Sequence, residues 1–402
     1  MIYAAYEARR ALLAPLQISA ARGTAALEAA SDAGVPMPLA GVSRAALGTF
    51  AALQLTHRRP DFGIESVERE GERVVVTEQT VLSTPFGSLL RFAGDDGRDL
   101  PKVLIVPGLA GHFATLVRHT IRTMLADHDV YVADWHNARD VPVEDGRFGL
   151  DEYVEHIIDF VDAVGSGAQV MAVCQPCVAA LTAAAIMAED SHPAEPAGLI
   201  LLAGPVDARI NPGPVNDFAA KQSLAKLERL AVMTVPRPHA GAGRRVYPGF
   251  LQVSGFLGMA PRRHTDAFGS LIGDLLRNDS ASAVRTQEFY AEYFAVLDIA
   301  AEFYLETVRA IFQDHDFARG EMTWRGRRVD PAAIRSALMT IEGEKDEFCP
   351  PGQTAVAHTL CTGIPDRRRV EHLQAGVGHY GVFSGSRFDE EIYPKIRAFV
   401  AN

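Results

Sequence analysis

The chain has 402 residues, of which 48% are hydrophobic and 22% are charged, as is ordinary for a globular protein with a large buried core. Its net charge of −11 disfavours a nucleic-acid partner, because proteins that bind the phosphate backbone need a basic face. Four cysteines in this length do not form the disulfide framework of a small secreted protein.

The N-terminus carries Glu7, Arg9 and Arg10 where an export signal would need its apolar stretch. No window reaches the roughly 18 uncharged apolar residues of a membrane-spanning helix. We therefore expect a cytoplasmic protein without a transmembrane segment.

Residues 1–60 lack the pattern of a strand and contain several alanine-rich stretches, which predicts helices packed on the main domain. Arg73–Thr77 and Val81–Phe92, the second around Pro85-Phe86-Gly87, then predict an antiparallel pair at the edge of a sheet.

Further along the chain, short apolar runs alternate with helical stretches. The predicted strands are Lys102–Val106, Asp129–Trp135, Gln169–Cys174, Gly198–Ala203, Ala337–Glu342 and Arg369–Leu373. The predicted crossover helices are Phe113–Ala126, Leu150–Val164 and Val178–Glu189. Strands of such continuous apolar character are typical of a parallel sheet covered on both faces, so we expect a doubly wound α/β fold.

The strand rhythm stops between about Asp207 and Arg335. We predict a mostly helical lid at 207–335, inserted into a core made of 61–206 and 336–402. The lid contains an aromatic cluster of Phe289, Tyr290, Tyr293 and Phe294. Helical spacing of this kind favours packing inside the lid, and an apolar wall for a substrate is the alternative.

The stretch Ala172-Val173-Cys174-Gln175-Pro176 breaks an apolar strand at a cysteine and leads directly into a helix. α/β-Hydrolases place their nucleophile at such a turn, with small residues two positions before and after it. Cys174 would then be the nucleophile, and the N–H of Gln175 would help to bind an oxyanion. The same residues contain Cys174-Gln175-Pro176-Cys177, which is also the pattern of a thioredoxin-like redox site, and buried inert thiols are a third interpretation.

A cysteine nucleophile needs a histidine and an acid that follow it in the chain. His379 lies in the glycine-rich loop after the last predicted strand, and Asp346 follows the strand before it. The acids Glu344, Glu347 and Asp207 are rivals of Asp346. A hydrolase of this order explains loops that a thioredoxin-like protein would not need.

The loop Pro107–His112 follows the first parallel strand, and its glycines let the N–H of Leu109 or Ala110 point at a developing oxyanion. His112 is either a substrate contact or a helix cap. No group of residues predicts a metal site or a nucleotide cofactor, because neither metal-ligand spacing nor a glycine-rich dinucleotide motif is present.

Several longer motifs resemble those of the intracellular polyhydroxyalkanoate depolymerases. They are Ala172–Pro176, Asp134-Trp135 with Ala138-Arg139, Asn216-Asp217, Gly243–Gln252, Gly378–Gly385, the start Met1-Ile2-Tyr3 and the closing Glu391–Pro394. The resemblance spans almost the whole chain. Polyester synthases share the cysteine, but their motif is closer to Gly-x-Cys-x-Gly-Gly, and Gln175-Pro176 places the chain with the depolymerases.

The resemblance implies a cysteine hydrolase that releases 3-hydroxybutyrate or its oligomers from poly(3-hydroxybutyrate) granules in the cytoplasm. It implies a triad of Cys174, His379 and Asp346, an oxyanion hole from Gln175 and Leu109, and no cofactor. His112, Ala110 and Tyr380 are the predicted substrate contacts. Exposed aromatic residues of the lid, with the N-terminal helices, are expected to meet the polymer surface.

Two rival functions remain open at this point: an esterase or thioesterase of soluble acyl esters, and a granule-binding protein without catalysis. The resemblance leaves open the oligomeric state, with a homo-oligomer among the states it allows, and the preferred side-chain length. It also leaves open whether coenzyme A accepts the acyl group, and whether Cys174 and Cys177 oxidise, since the family often has another small residue at position 177.

Overall fold

The structure is a computed structural model, and it describes residues 2–33, 40–52, 55–259, 261–277 and 280–401. The helices are α1 Ile2–Asp32, α2 Ala40–Ala52, α3 Arg118–Met124, α4 Leu150–Val164, α5 Cys177–Glu189, α6 Pro214–Lys221, α7 Leu224–Ala231, α8 Gly249–Met259, α9 Pro261–Arg277, α10 Ser280–Tyr293, α11 Ala301–Thr307, α12 Asp316–Arg319, α13 Ala357–Leu360 and α14 Tyr393–Val400. Within those ranges, no helix combines the length and the apolar character that crossing a bilayer requires.

The strands are β1 Ser66–Arg69, β2 Glu72–Ser83, β3 Gly87–Gly94, β4 Lys102–Val106, β5 Asp129–Trp135, β6 Gln169–Val173, β7 Gly198–Leu202, β8 Met233–Thr234, β9 Arg245–Tyr247, β10 Ile299–Ala300, β11 Thr323–Trp324, β12 Arg327–Arg328, β13 Ala337–Gly343 and β14 Arg369–Gln374. Nine of them form one sheet in the order β1-β2-β3-β5-β4-β6-β7-β13-β14. The six strands from β5 to β14 in this order are parallel, and β1, β2 and β3 are antiparallel. The predicted doubly wound α/β-hydrolase fold is therefore confirmed.

Alternate residues of the parallel strands enter two separate apolar cores. In β4, Leu104 and Val106 join the core that contains α4 and α5, whereas Val103 and Ile105 join the core that contains α3 and α14. Since both faces of these strands are buried, they have the continuous apolar sequences from which they were predicted.

Two predictions, the edge pair and the helix from Phe113, differ by several residues in their bounds, and the other predicted strands and crossover helices agree to within one residue. The edge pair is one hairpin whose turn is at 84–86, so residues 81–83 extend the first strand rather than opening the second. The α-helix predicted from Phe113 begins at Arg118, because Phe113 is extended and a tighter 3-10 turn occupies Ala114–Val117. The outermost strand β1 was not predicted, because its sequence Ser-Val-Glu-Arg has no apolar alternation.

Helices α6 to α12 and the short strands β8 to β12 lie between β7 and β13. The role of this segment as a lid stays a prediction. Its backbone is tied to the loop after β4, where the N–H of Leu297 donates to the carbonyl of Gly111 at 2.9 Å and His112 forms an isolated bridge with Val296. The segment thus closes over one side of that loop.

Tyr3 fixes the first turn of α1 to the interior, although residues 1, 34–39 and 53–54 of the predicted helical segment lie outside the described ranges. Tyr3 is buried, and its hydroxyl donates to Asp298 at 2.5 Å, while the N–H of Gly249 donates to the same carboxylate at 2.9 Å. Burial raises the pKa of Asp298 to about 6, although these two donors lower it. Tyr6 adds a hydrogen bond to His57 at 2.8 Å.

Replacing Tyr3 with Phe removes one donor from the buried Asp298 carboxylate. A hydrogen bond to a charged group contributes about 1.5–3 kcal/mol, so we expect the free energy of unfolding in urea to fall by about that amount. Amide hydrogen exchange across 2–33 should accelerate. The matched control is Tyr131→Phe, because its hydroxyl lies 3.3 Å from the partly exposed Asp129. Equal losses in the two variants would contradict the anchoring role of Tyr3.

Candidate active site

Cys174 lies between the end of β6 and the start of α5, and its backbone is left-handed, with φ of +68°. This conformation is uncommon for a residue with a Cβ and persists only where the surroundings enforce it. The N–H of Cys174 donates to the carbonyl of Leu202 in β7 at 2.7 Å, and Ala180 donates to the carbonyl of Pro176 at 2.8 Å. The strand and the helix therefore hold the turn from both ends.

Gly204, in the loop after β7, packs directly against this turn. A Cβ on Gly204 would lie 2.2 Å from Cys177 Sγ and 2.5 Å from the Cys174 carbonyl oxygen, so only glycine fits there. The sequence motif predicted small residues on the nucleophile's own segment, and Gly204 was missed. The sequence could have indicated it, because Gly204 directly follows the predicted strand Gly198–Ala203.

Asp346 and His379 are brought together as predicted from their positions in the chain. His379 Nδ1 lies 2.7 Å from Asp346 Oδ2. The other carboxylate oxygen, Oδ1, accepts the N–H groups of Phe348 at 2.8 Å and Cys349 at 2.9 Å. The Asp346 carboxylate is therefore fixed by its own loop, and it orients the imidazole. The two backbone donors that fix it could not be predicted from the sequence.

The rival acids have other partners. Glu344 accepts the N–H of Gly376 at 2.7 Å, and Asp207 forms a bidentate pair with Arg209. Glu347 lies beside Gly378, where an added Cβ would be 3.3 Å from Glu347 Oε2. Across the same ranges, no three His, Cys, Asp or Glu side chains are grouped as metal ligands would be.

His379 is buried, yet its pKa is well above the usual value. Burial alone would lower the pKa, but the charge of Cys174, hydrogen bonds to Asp346 and Cys174, and the charge of Asp346 together raise it. The rings of Phe348, Tyr380 and Phe383 lie within 5.3–5.9 Å of the imidazole and help to enclose it. The imidazole of His379 therefore lies between the sulfur of Cys174 and the carboxylate of Asp346.

Cys177 faces the interior. Its Sγ donates to the carbonyl of Ala172 at 3.4 Å, the residue is fully buried, and burial, followed by the charge of Cys174, raises its pKa well above the usual value. All four cysteines are free thiols. Redox sites of the Cys-x-x-Cys kind expose a thiol of lowered pKa, so this geometry favours a packing role for Cys177.

The loop after β4 lies against the turn at Cys174. A Cβ on Gly108 would be 3.9 Å from both Cys174 Cβ and the backbone nitrogen of Gln175. The N–H of Leu109, which the sequence predicts to bind an oxyanion, donates to Gln175 Oε1 at 3.3 Å. The amide nitrogen of that side chain, Gln175 Nε2, is buried without a hydrogen-bond partner among the described residues. Sequence reasoning missed this side chain.

The predicted substrate contacts border an aromatic surface. The ring of His112 lies 5.0 Å from that of Tyr293, and Tyr380 lies 6.3 Å from Phe289. Tyr290, Tyr293 and Phe294 are buried in a core, whereas Phe289 is half-buried. Three members of the aromatic cluster thus pack internally, and the edge formed by Phe289 and Tyr293 joins the loops of His112 and His379. Ala110 lies half-buried in the first of these loops.

The chain matches one family model over part of its length and is similar to two curated proteins. Residues 203–402 match the family described as PHB de-polymerase C-terminus. The poly(3-hydroxyalkanoate) polymerase subunit PhaC of Haloarcula marismortui is 21% identical over 285 residues, which are 69% of this chain and 55% of the relative. The same subunit of Haloferax mediterranei is 23% identical over 165 residues, 35% of this chain and 33% of the relative. The chain therefore spans between a third and just over half of these relatives' lengths.

Solved structures with a similar chain path include an esterase of M. tuberculosis, with a TM-score of 0.48 and 14% identity over 81% of this chain and 92% of that one. Epoxide hydrolase A of Mycobacterium thermoresistibile has a TM-score of 0.47 and 15% identity over 82% of this chain and 99% of that one. The chemistry of the site has to be argued from its own residues.

Replacing His379 with Ala removes the imidazole that contacts the Cys174 sulfur and can accept its proton. A thiol with a pKa of about 8.5 is only a few per cent ionised at pH 7, so we expect alkylation by iodoacetamide at that pH to slow at least about tenfold. The other three cysteines are buried, so peptide mass spectrometry should report Cys174 alone. The matched control is His119→Ala, because His119 pairs with Asp389 on the partly exposed surface. Unchanged alkylation in His379→Ala would contradict this role of His379.

Proposed function

We propose that the chain, a polyhydroxyalkanoate-related α/β-hydrolase, hydrolyses ester bonds of intracellular poly(3-hydroxybutyrate). The products would be 3-hydroxybutyrate or its oligomers. The match of 203–402 to the depolymerase family supports ester hydrolysis. Residues Cys174, His379 and Asp346 would be the catalytic triad.

One observation carries the catalytic part of the proposal. His379 interacts on one side with Cys174, which leaves the sheet in a left-handed turn, and on the other with a carboxylate 2.7 Å away. A nucleophile, a base that touches it and an acid that orients the base are the parts that acyl transfer needs.

Acylation begins when His379 accepts the proton of the Cys174 thiol. The Cys174 thiolate attacks an ester carbonyl of the polymer, and the carbonyl oxygen becomes an oxyanion at the N–H groups of Gln175 and Leu109. When the tetrahedral intermediate collapses, the imidazolium of His379 donates its proton to the departing alkoxide. A hydroxyl-terminated chain leaves, and the 3-hydroxyacyl group remains on Cys174 as a thioester.

Deacylation releases the acyl group from Cys174. Neutral His379 accepts a proton from water as the water attacks the thioester, and the Cys174 thiolate departs from the second tetrahedral intermediate. The buried carboxylate of Asp346 stabilises the imidazolium that forms, without accepting the proton itself. The carboxylic acid product ionises and leaves.

The side chain of Gln175 occupies the Leu109 N–H that both steps need for the oxyanion. In the structure the Leu109 N–H donates to Gln175 Oε1, so this N–H can reach a substrate oxygen only after that bond opens. The bond is 3.3 Å long and joins neutral groups, which makes it weaker than the bond to an oxyanion. The developing charge would therefore displace the amide, and stabilisation would increase as the transition state forms.

Contact with the insoluble polymer is expected at the granule surface. The aromatic cluster contributes little to this contact, because three of its members are buried. The large apolar side chains Ile2, Leu12, Leu16 and Ile18 of α1 are exposed instead, with Leu12 77% accessible. Exposed apolar side chains can contact an apolar surface such as the polymer. The N-terminal helix is thus the better-supported part of the granule-contact hypothesis, and cytoplasmic granules are the proposed location.

A second candidate function has a specific observation in its favour. Both curated relatives are named as polymerase subunits. A polymerase would use the same thioester but pass the acyl group to a chain hydroxyl rather than to water. Incubation with 3-hydroxybutyryl-coenzyme A separates the two, because only polymerisation releases coenzyme A with growth of polymer.

The proposed function is tested with amorphous poly(3-hydroxybutyrate) granules. We expect wild type and Cys177→Ser to release 3-hydroxybutyrate or its oligomers, because the Cys177 thiol faces away from the site. Cys174→Ala should lose at least about 10³-fold in rate, as removal of a nucleophile does. The measurement is chromatography of the soluble products over time.

Each alternative predicts a different pattern in that assay. If the protein cleaved only soluble acyl esters, the proposed triad would stand but the polymer would not be its substrate. Adsorption to granules without any ester cleavage would indicate a binding protein. Loss of activity in a folded Cys177→Ser variant would favour the redox interpretation.

Replacing Gln175 with Glu tests the oxyanion site. A carboxylate would hold the Leu109 N–H and add negative charge next to the developing oxyanion. Losing one such donor costs about 2.7–4 kcal/mol, so we expect kcat/KM for a p-nitrophenyl ester to fall about 10²–10³-fold. The control, Gln175→Ala, keeps the backbone N–H and removes the competing acceptor, and it should stay within about tenfold of wild type. Similar losses in both variants would contradict this arrangement.

A further inference from the structure

The loop after β7 lies between the loops that carry Cys174 and Asp346. In the sheet, β7 is hydrogen-bonded to β6 on one side and to β13 on the other. Cys174 follows β6, and Asp346 follows β13. The strands of the nucleophile and the acid are therefore not neighbours, and the first residues after β7 separate their loops.

The residue that follows β7 has a strained backbone. Ala203 is left-handed, with φ of +48°, which is uncommon for a residue with a Cβ. It is fully buried, and its N–H donates to the carbonyl of Ile341 in β13 at 2.9 Å. Such a conformation persists only where the surroundings enforce it, so the backbone that continues into Gly204 has to be held in place.

The hydroxyl of Thr354 holds Gly204 at two points. Its Oγ1 accepts the N–H of Gly204 at 2.9 Å and donates to the carbonyl of the same residue, also at 2.9 Å. Thr354 is fully buried. A hydroxyl is both a donor and an acceptor, so one side chain of this type can pair with both backbone groups of Gly204. Without the hydroxyl, both groups would lose this partner in the interior, which is costly.

Glu342 fixes the backbone of Thr354. This buried residue lies near the end of β13, and its Oε1 accepts the N–H groups of Thr354 at 2.7 Å and Ala355 at 3.1 Å. Its Oε2 accepts the N–H of Gly352 at 2.8 Å. Since three backbone donors converge on one side chain, the turn that contains Thr354 is held firmly against β13.

Gly204 in turn packs against the nucleophile. A Cβ on Gly204 would lie 2.4 Å from Cys177 Cβ and 2.5 Å from the Cys174 carbonyl oxygen, so the Gly204 backbone closely contacts the turn on which Cys174 lies. If Gly204 moved away, the left-handed backbone at Cys174 would lose its contact on that side. A series of contacts thus leads from Glu342 through Thr354 and Gly204 to Cys174.

The segment that supports the nucleophile also carries the acid. The N–H of Cys349 donates to Asp346 Oδ1 at 2.9 Å, and Cys349 Sγ lies 3.7 Å from Thr354 Oγ1. Asp346 orients His379 from one end of this segment, and Thr354 contacts Gly204 from the other end. The sulfur and the imidazole are therefore placed by one connected piece of backbone.

We propose that Thr354, fixed by Glu342, is a positioning residue for Cys174, because its hydroxyl holds Gly204 against the nucleophile turn. The proposal rests on the ester-hydrolysing function proposed above. Loss of the hydroxyl changes the placement of the reacting sulfur, so it affects the chemical step more than substrate binding. A displacement of about 1 Å at a reacting atom can cost about 10²-fold in rate.

The test compares Thr354→Val, which lacks the hydroxyl but has a similar shape, with Thr354→Ser, which retains the hydroxyl. Below the melting temperature of each variant, we expect kcat for a p-nitrophenyl ester to fall about 10–10²-fold in Thr354→Val, with KM within about twofold of wild type. Thr354→Ser should recover kcat to within about threefold of wild type.

The matched control for the loss of a buried hydroxyl is Thr340→Val. Thr340 is equally buried, and its hydroxyl pairs with His358 at 3.0 Å instead of with Gly204. We expect its kcat to stay close to that of wild type. Equal kcat values in Thr354→Val and Thr340→Val, or a Thr354→Ser variant as slow as Thr354→Val, would overturn the proposal.

Alkylation of Cys174 by iodoacetamide tests the same contact without turnover. A displaced turn moves the sulfur away from His379, the base that accepts its proton, so alkylation at pH 7 should slow at least about threefold in Thr354→Val. Thr340→Val should react like wild type. Unchanged alkylation in Thr354→Val would overturn the proposal. If wild type hydrolysed no ester while this difference in alkylation was present, the proposed function would fail and the positioning role of Thr354 would stand.

Glu342→Gln is the second variant if Thr354→Val does not fold. Its amide places an N–H group against one of the three backbone donors, so Thr354 is held less firmly while the Thr354 hydroxyl remains. We expect kcat to fall at least about threefold at unchanged KM. A folded Glu342→Gln variant with the kcat and the Cys174 alkylation of wild type would overturn the proposed path from Glu342 to Cys174.

Discussion

At Cys174 the chain leaves β6 through a left-handed turn, and contacts with β7 and its loop keep it there. The N–H of Cys174 is bound by Leu202 in β7, and Gly204 packs so closely on the turn that no side chain would fit. A conformation of this kind costs on the order of 1–3 kcal/mol and needs such support. It lifts the Cys174 side chain off the sheet toward His379 and turns Cys177 back toward Ala172. One backbone feature therefore explains why two cysteines three positions apart have opposite environments.

The electrostatics of the site depend on that placement. His379 is buried, and a buried imidazole would ordinarily be neutral. Its pKa is raised because the sulfur of Cys174 and the carboxylate of Asp346 both lie against it, and Asp346 is fixed by two backbone donors. The turn at Cys174 is what brings the sulfur against the imidazole, so a relaxed turn would remove that contact.

The sequence predicted the central sheet well because its strands are buried on both faces. β4 and β5 begin and end at the predicted residues, and so does α4, since each is an apolar run bounded by turn residues. β1 was missed because an edge strand needs little apolar surface. The relation between Cys174, Asp346 and His379 was also predictable, because parallel strands bring their carboxyl ends to one edge.

Contacts between loops that are distant in the chain could not be predicted. The bond from Leu109 to the side chain of Gln175 depends on the conformations of two such loops. The ion pair between Arg59 and Asp134 depends on a residue that precedes β1 packing beside β5. In both cases the residue types were visible, but periodicity and motif spacing carry no information about which side chain meets which backbone group.

The most direct measurement is mass spectrometry of the enzyme quenched with acid within seconds of mixing with a p-nitrophenyl ester of 3-hydroxybutyrate. We predict a 3-hydroxybutyryl group on the peptide that contains Cys174, released by hydroxylamine as a thioester would be. An acyl group on another residue, or turnover that continues unchanged in Cys174→Ala, would contradict the claim that Cys174 is the nucleophile.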